Sequence, residues 1–359
     1  MKNCNKGLCV LFILLSVSIL AQDKKVTWKS ITQSKDETWF ASDEAAKIAE
    51  NVLLYQRKIG GWPKNIEMQV PLTDEEKQNL KDLKSTYKDC TIDNGATYQE
   101  MLFLSKIYKQ KPEEKYKDAF LKGLDYLLEA QYKNGGWPQF YPLKKGYSTH
   151  ITYNDDAMVN VLKLLKEIKD KTGFYSISPC EKIEKRVASA FDRGINCILK
   201  TQYKQKDELT SWCAQHDEVS LLPTDARAFE LASLSGKESS KITLLLMSLE
   251  NPSKEIVNAV EAAVRWFEKT KISGIKIENV PTGEGDKTDR VVVESPNAEP
   301  LWARFMELEN NKPFFCDRDG VKKATLAEIG YERRNGYAWY TNEPKEVLKR
   351  YQKWKENLK

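Results

Sequence analysis

The feature that most constrains the fold of this chain is a repeat that is marked by three tryptophans. Each tryptophan comes shortly after a segment whose apolar residues recur every three or four positions and which ends in a glutamine. This spacing is typical of an α-helix with one apolar face. The tryptophans are Trp62, Trp137 and Trp212, each 75 residues from the next, and the glutamines are Gln56, Gln131 and Gln202.

Each repeat continues in a similar way after its first helix. A loop rich in glycine and proline surrounds Trp62 and Trp137, and acidic turns containing Asp93, Asp155 and Asp225 follow the three loops. The apolar spacing of a second helix begins after each turn. The sequence therefore predicts three units of helix, aromatic loop, acidic turn and helix, with a partial fourth copy at residues 260–267.

Helical units of this kind can stack as an open solenoid or close into a ring. We favour the ring, because only closure would bring three acidic turns to a common centre. Residues 272–293 differ in pattern and predict short strands around a glycine-rich turn at residues 282–285. The predicted fold is mostly α, an (α/α)₃ toroid of helical hairpins with a few short strands near the C-terminal third.

The chain divides into three segments by composition. Residues 1–21 combine a basic start with an apolar run too short to span a bilayer comfortably, which indicates a secretory signal peptide rather than an uncleaved anchor. Residues 22–41 are polar and predict a frayed N-terminal lead-in. Residues 42–359 should form a single catalytic toroid domain, and the protein should be secreted or periplasmic.

Charge and cysteine content exclude several classes of function. The net charge of +5 falls to +3 without Lys2 and Lys6, so we expect no nucleic-acid partner, and a polyanion would need a local cluster of cations. Five cysteines outside the signal, with no CxxC pair, do not form a disulfide scaffold, although one or two bridges are possible. Two histidines make a zinc site improbable. We expect a monomer with no membrane partner beyond the signal.

The acidic turns can be read as helix caps or as metal ligands. Asp and Asn are preferred N-caps, and for a single turn this is the simpler interpretation. However, Asn94 adjoins Asp93 and Asp156 adjoins Asp155, and no cap needs a second carboxylate or amide. Oxygen ligands gathered at one pole of a ring suit Ca²⁺, which takes six to eight oxygens in irregular geometry.

Two arginines stand out beside these turns. Arg227 follows Asp225 by two residues, where a helix start has no packing need for it, and Arg318 lies in an Asp-Arg-Asp-Gly turn. Arg333 and Arg334 are more typical of surface charge. The loops of Trp62 and Trp137 are either packing plugs or sugar platforms, and His216 is either a loop histidine or a substrate contact.

These stretches resemble family 10 of the polysaccharide lyases, the pectate lyases. The resemblance covers nearly the whole mature chain in order, at residues 60–65, 91–97, 134–142, 153–158, 212–218, 296–305, 317–320 and 333–340. It implies an (α/α)₃ toroid that cleaves α-1,4-linked polygalacturonate by Ca²⁺-assisted anti β-elimination, which would give 4,5-unsaturated oligogalacturonides.

The resemblance also implies roles for individual residues. Arg318 matches the catalytic arginine and Arg227 a second arginine that faces the substrate. Calcium should lie near Asp93, Asn94 and Asp155. The residues expected to contact the substrate are Asp156, Trp62, Trp137 and His216, with Lys287 and Arg290 as looser matches.

The chemistry of a uronate explains why such a site is needed. The C5 proton is only weakly acidic, and cations on the adjacent carboxylate stabilise the charge that develops as it leaves. An arginine base must first lose a proton, so we expect Ca²⁺ and Arg227 to lower the pKa of Arg318 and activity to rise towards alkaline pH.

Two other functions are compatible with the sequence. An inverting glycoside hydrolase on an α/α toroid, acting on an acidic polysaccharide, would use Asp155 with Asp217 or Glu218 as acid and base. A non-catalytic sugar-binding module would use only the tryptophan loops, and the arginines argue against it.

Overall fold

The computed structural model describes residues 26–358, which are mainly helical. The helices are α1 (Trp28–Thr32), α2 (Asp43–Tyr55), α3 (Asp74–Leu83), α4 (Tyr98–Gln110), α5 (Glu114–Ala130), α6 (Ala157–Lys169), α7 (Glu181–Thr201), α8 (Gly236–Met247), α9 (Lys254–Thr270), α10 (Tyr331–Gly336) and α11 (Pro344–Glu356). Within the described range, no helix combines the length and the hydropathy that crossing a bilayer requires. The predicted signal peptide at residues 1–21 lies outside the described residues.

The strands are short. They are β1 (Ile151–Thr152), β2 (Lys204–Gln205), β3 (Glu208–Leu209), β4 (Gln215–His216), β5 (Ile275–Pro281), β6 (Thr288–Glu294), β7 (Trp302–Ala303), β8 (Phe315–Cys316), β9 (Lys322–Lys323) and β10 (Tyr340–Thr341). Only β5 and β6 form a long antiparallel hairpin, in the segment where the sequence predicts short strands.

Three antiparallel helical hairpins form the body of the protein. The helices α4 and α5, α6 and α7, and α8 and α9 pack closely as pairs, with α2 against α4 and α11 against α8 and α9. One row of helices runs α2, α5, α7, α9 and a second runs α4, α6, α8, α11, with contacts along each row. The predicted mostly α fold, an (α/α)₃ toroid, is confirmed.

The repeated tryptophans tie each loop to the end of the helix that precedes it. Their rings are fully buried, and each indole N–H donates to a backbone carbonyl in the last turns of that helix. The distances are 2.8 Å from Trp62 to Val52, 2.7 Å from Trp137 to Leu127, 2.8 Å from Trp212 to Ile198 and 2.8 Å from Trp302 to Phe267. Trp302 therefore marks a fourth unit of helix, tryptophan loop and helix, whose second helix is α11 and which has Lys271 in place of the glutamine.

The repeated glutamines join neighbouring units. The side-chain amide of each glutamine donates both to a carbonyl of its own loop and to a carbonyl in the next helix of the same row. For Gln202 these acceptors are Thr210 and Ala259, at 3.0 and 2.9 Å. Carbonyls that would otherwise be buried without partners are thereby satisfied, and the spacing between units is fixed.

Two loop glycines allow the same close approach between units. Gly60 and Gly135 have φ of 101° and 96°. A Cβ would come within 2.1 Å of the Lys122 carbonyl oxygen at the first position and 2.0 Å of the Arg193 carbonyl oxygen at the second. Any side chain here would displace the loop from the neighbouring helix.

Short strand pairings connect the loops of successive units at one end of the helices. Residue Thr91 bridges to Phe140, β1 pairs with β4, Leu234 bridges to Met306, and β7 pairs with β10. These pairings are separate from one another, and they link the loops at the end of the helices where the turns preceding α4, α6 and α8 lie; we call this end the platform.

Two expectations about local structure are wrong. The segment 26–41, expected to be frayed, packs on the body through the buried Trp28 and Phe40. The second helix of the third unit, α8, does not begin at Asp225 but at Gly236. Asp225 instead accepts a 2.6 Å hydrogen bond from the Ala232 N–H. The five cysteines from Cys90 onward are free thiols.

A buried carboxyl group on α4 makes stability depend on pH. Trp28 donates its indole N–H to one oxygen of Glu100 at 2.7 Å, while the other oxygen is buried without a partner. Burial raises the pKa of Glu100 to about 7. Since the carboxyl group is fully exposed when the chain unfolds, charging it costs more in the folded protein, and stability falls as the pH rises from about 4.5 to above 7.

We expect Glu100→Gln to stabilise the protein at alkaline pH. At pH 9 its free energy of unfolding should exceed that of the wild type by up to about 3 kcal/mol, and at pH 4 the two should agree. Denaturant unfolding at both pH values measures the difference. The exposed Glu129→Gln on α5 is the matched control, and equal stabilities of Glu100→Gln and wild type at pH 9 would contradict the argument.

Candidate active site

Two acidic turns lie side by side at the platform end of α4 and α6. The single-turn 3₁₀ segments Asp93–Gly95 and Asn154–Asp156 contact each other directly. Asn94, Asp155 and Asp156 have φ of 51°, 50° and 64°, in the left-handed region. Non-glycine residues adopt this conformation at an energetic cost that is often retained at functional sites.

Asp93 is buried with one oxygen still available. One carboxylate oxygen pairs with the Lys64 ammonium, and the other is buried without a hydrogen-bond partner. Its neighbour Asn94 donates a 2.9 Å hydrogen bond to the side-chain oxygen of Asn65, which leaves the Asn94 amide oxygen as a potential ligand. Both residues therefore offer oxygens of the kind that calcium binds.

Asp155 lies across from Asn94. The two residues line a cavity of about 250 Å³, together with Lys237 at the start of α8. The Lys237 ammonium lies 2.9 Å from an oxygen of Asp155, and the Arg304 guanidinium lies 3.4 Å from the same oxygen. Burial alone would raise the pKa of Asp155, but these two cations outweigh it and the pKa lies below its ordinary value.

Arg304 organises this region, although the sequence reasoning did not identify it as a site residue. It is 5% exposed, and one guanidinium nitrogen donates to Asn154 at 2.7 Å and to the buried Glu238 at 3.0 Å. Its position two residues after Trp302 could have drawn attention to it, but Trp302 falls outside the 75-residue step.

Asp93 and Asn94 lie on a turn that contacts the turn of Asp155, and we call these three residues the acidic site. Their role as calcium ligands stays a prediction. Their oxygens suit calcium, because Asp93 and Asn94 each offer an oxygen that accepts no hydrogen bond among the described residues, and Asp155 adds a second carboxylate, whose oxygens accept from Lys237 and Asn154. Asp156 lies in a different electrostatic environment from Asp155. Burial raises its pKa, and the charges nearest to it include Lys241, Glu238 and Lys237 on α8.

Three arginines surround one phenylalanine close to the acidic site. The guanidinium carbons of Arg227, Arg318 and Arg333 lie 4.9, 4.8 and 4.7 Å from the centre of the Phe229 ring. Arg227 and Phe229 belong to the loop before α8, Arg318 to the turn after β8, and Arg333 to α10. We call these three arginines and Phe229 the arginine cluster.

Both predicted catalytic arginines are held by glutamates. Arg227 donates two hydrogen bonds to Glu230 at 2.7 and 2.6 Å, and Arg318 donates two to Glu332 at 2.9 and 2.7 Å. Each glutamate raises the pKa of its arginine. Arg227 lowers the pKa of Arg318 as expected, but the hydrogen-bonded Glu332 outweighs it, so the pKa of Arg318 lies above its ordinary value.

Tyr337 connects the arginine cluster to the acidic site. The Arg333 guanidinium lies 4.3 Å from its ring centre on the cluster side, and the Arg304 guanidinium lies 4.6 Å from it on the acidic side. Burial raises the pKa of the Tyr337 hydroxyl, which therefore stays neutral at physiological pH. Guanidinium groups and aromatic rings thus alternate from Phe229 through Arg333 and Tyr337 to Arg304, which contacts Asp155.

Three predicted substrate contacts are wrong. Trp62, Trp137 and His216 are each 0% exposed. The indole N–H groups of the tryptophans are used inside the fold, so the loops are packing plugs and not sugar platforms. His216 pairs through Nδ1 with the Leu221 carbonyl at 3.0 Å, and burial lowers its pKa to about 4.

The remaining candidates lie at the edges of this region. Lys287 pairs with Glu284 in the β5–β6 turn, and Arg290 donates a 2.6 Å hydrogen bond to the Tyr337 carbonyl, so it supports the tyrosine that joins the two clusters. Asp217 accepts hydrogen bonds from residues of its own loop, and Glu218 lies 2.9 Å from His150.

Comparison with known proteins agrees with this geometry. The sequence model of the pectic acid lyase family matches residues 56–348. The chain is similar in structure to the family 10 polysaccharide lyase from Cellvibrio cellulosa, with a TM-score of 0.77, 36% identity and coverage of 89% of this chain and 95% of that one.

A mutant of the same Cellvibrio cellulosa enzyme, in complex with trigalacturonic acid, matches with a TM-score of 0.76 and 36% identity over 88% of this chain and 96% of that one. No curated protein matches the sequence. The extent of the family match and the identity to the solved structures lead to one conclusion: this chain is a polysaccharide lyase that belongs to family 10, the pectic acid lyases.

Proposed function

We propose that this enzyme cleaves α-1,4-linked polygalacturonate by calcium-assisted anti β-elimination and releases 4,5-unsaturated oligogalacturonides. The observation that carries the proposal is the adjacency of the acidic site and the arginine cluster, joined through Arg304 and Tyr337. A polymer with a carboxylate on every sugar suits such a surface, because the cation and the guanidinium groups can bind carboxylates of neighbouring sugars.

The acidic site would hold calcium through Asp93, Asn94 and Asp155. Lys64 forms a salt bridge with Asp93 and Lys237 one with Asp155, and these contacts hold the carboxylates in place. When bound, calcium would neutralise the carboxylate of the sugar that is attacked and make its C5 proton more acidic. Arg304 fixes the second acidic turn by its hydrogen bond to Asn154.

Of the two exposed arginines, Arg227 is the better candidate for the base. Arg227 lies in the loop that leads into α8, the helix whose Lys237 contacts Asp155, whereas Arg318 lies in the turn after β8 and pairs with Glu332. We therefore assign proton removal to a neutral Arg227 and carboxylate binding to Arg318, the reverse of the roles that the family resemblance implies.

The elimination needs few groups. As the C5 proton moves to Arg227, the C4–O4 bond breaks and a C4=C5 double bond forms, while O4 takes up a proton from solvent water and leaves as an alcohol. The hydrolase alternative has less support, since Asp217 is held by its own loop and Glu218 by His150 rather than facing Asp155.

We also propose that residues 1–21 direct export, so that the monomer acts in the periplasm or outside the cell.

Substitution of the arginines tests the reaction. On polygalacturonate, the wild type should release products with the ultraviolet absorbance of a C4=C5 bond, Arg227→Ala should lose about 10²–10⁴-fold in kcat, and Arg318→Ala should mainly raise KM. Arg265→Ala, exposed on α9, is the matched control. New reducing ends without the absorbance would show hydrolysis instead.

Calcium removal tests the acidic site. A chelator should abolish activity, and added Ca²⁺ should restore it. Asp155→Asn should raise the Ca²⁺ concentration needed for half-maximal activity at least about tenfold, because it removes a charged ligand. Calorimetric titration with Ca²⁺ alone provides a readout without turnover, with Asp118→Asn on α5 as the control. Full activity in chelator would exclude calcium from the mechanism.

The pH profile tests which arginine is the base. Because Glu230 raises the pKa of Arg227, the neutral fraction grows with pH throughout the accessible range, and kcat/KM of the wild type should rise beyond pH 10. Arg227→Lys should level off near pH 10, because lysine has an ordinary pKa of about 10.4. Arg318→Lys should keep the wild-type shape. An unchanged profile in Arg227→Lys together with a levelled profile in Arg318→Lys would restore Arg318 as the base.

A further inference from the structure

Arg333 is the buried member of the arginine cluster. It is 4% exposed, although its sequence context is typical of surface charge. Its guanidinium lies against three aromatic rings, those of Phe229, Tyr337 and Trp339, at 4.7, 4.3 and 5.0 Å. Its Nε donates a long hydrogen bond of 3.4 Å to the Cys316 carbonyl, and its Nη2 is buried without a partner.

The next residue along α10 shows how an ordinary arginine is held in this fold. Arg334 donates to both oxygens of Asp289, at 2.8 and 2.7 Å. In residues 26–358, by contrast, Arg333 forms no salt bridge, and burial lowers its pKa. Contacts with aromatic rings offset only part of the unfavourable free energy of burying a guanidinium group. A buried arginine without a carboxylate partner therefore destabilises the folded protein.

Among the described residues, Arg333 is the member of the cluster without a salt bridge. Glu230 pairs with Arg227 and Glu332 with Arg318, and the Asp317 carboxylate accepts hydrogen bonds from the backbone N–H groups of Arg318 and Gly330. Arg333 is shielded from water, while Arg227 and Arg318 are exposed. A carboxylate that binds to the two exposed arginines therefore lies close to a buried guanidinium group whose charge no salt bridge within the described range neutralises.

We propose that Arg333 is a positioning residue for the substrate. The buried charge of Arg333 helps the two exposed arginines to attract a galacturonate carboxylate while Glu230 and Glu332 stay paired with them. Its contact with Phe229 also fixes the ring against which both arginines lie. The inference rests on the proposed function, because the ligand it names is a carboxylate of polygalacturonate.

A purely structural role for Arg333 makes different predictions. If the guanidinium only filled space among the aromatic rings, a neutral replacement of similar length would alter stability and leave substrate affinity unchanged. If it supplies charge, affinity must fall even in a folded variant, and the dependence of affinity on salt must weaken, because the screened charge is gone.

The experiment compares Arg333→Gln and Arg333→Lys with Arg334→Gln as the matched control. In Arg333→Gln, KM for polygalacturonate and the Kd for trigalacturonate, measured by calorimetry, should rise at least about tenfold, while kcat changes by less than about threefold. The increase of KM between low and high salt should be smaller than in the wild type. Arg333→Lys should regain most of the affinity, and Arg334→Gln should resemble the wild type.

Three results would overturn the proposal: an unchanged Kd in a folded Arg333→Gln, a parallel loss of affinity in Arg334→Gln, or no recovery in Arg333→Lys. If Arg333→Gln does not fold, Phe229→Leu decides, because it keeps an apolar side chain but removes the shared ring. An unchanged KM in Phe229→Leu would then contradict the inference. Failure of the proposed function is distinguishable, since the wild type itself would then form no unsaturated product.

Discussion

The burial of one tryptophan ring in every loop is the interaction on which the rest of this structure depends. A fully buried indole needs an acceptor for its N–H, and the acceptor is in each case a carbonyl near the end of the preceding helix. The loop is thereby held at a fixed height above the helix. The turn that follows then emerges at the same level in each unit, so that Asp93 and Asp155 meet on neighbouring turns.

Electrostatics determine what this platform can do. Residues of two other units contact Asp155. They are Lys237, at the start of α8, and Arg304, which follows the fourth tryptophan. Tyr337 then continues the line of contacts to the arginine cluster, in which the buried Arg333 has no salt bridge among the described residues. Carboxylates and guanidinium groups therefore lie close together in this region, and the proposed function uses both.

The wrong predictions share a physical origin. A tryptophan flanked by two glycines is compatible with display on a surface, but the positive φ of Gly60 and Gly135 serves a close approach of the loop to the next helix, and the ring is buried by that approach. The sequence predicts surface charge at Arg333. Its burial results from the rings of Tyr337 and Trp339 nearby in sequence together with Phe229, which lies more than a hundred residues away in the chain.

The sequence by itself determined the helical repeat, the hairpin toroid, the first two acidic turns and the family, since each depends on local periodicity or on contiguous motifs. Trp302 falls outside the even spacing because an inserted segment precedes it. Only the tertiary structure decided which side chains are buried, that α8 begins at Gly236, and that Arg304 contacts Asp155 and Arg333 contacts Phe229. Burial and charge pairing arise from contacts between distant segments, and no local pattern in the sequence encodes those contacts.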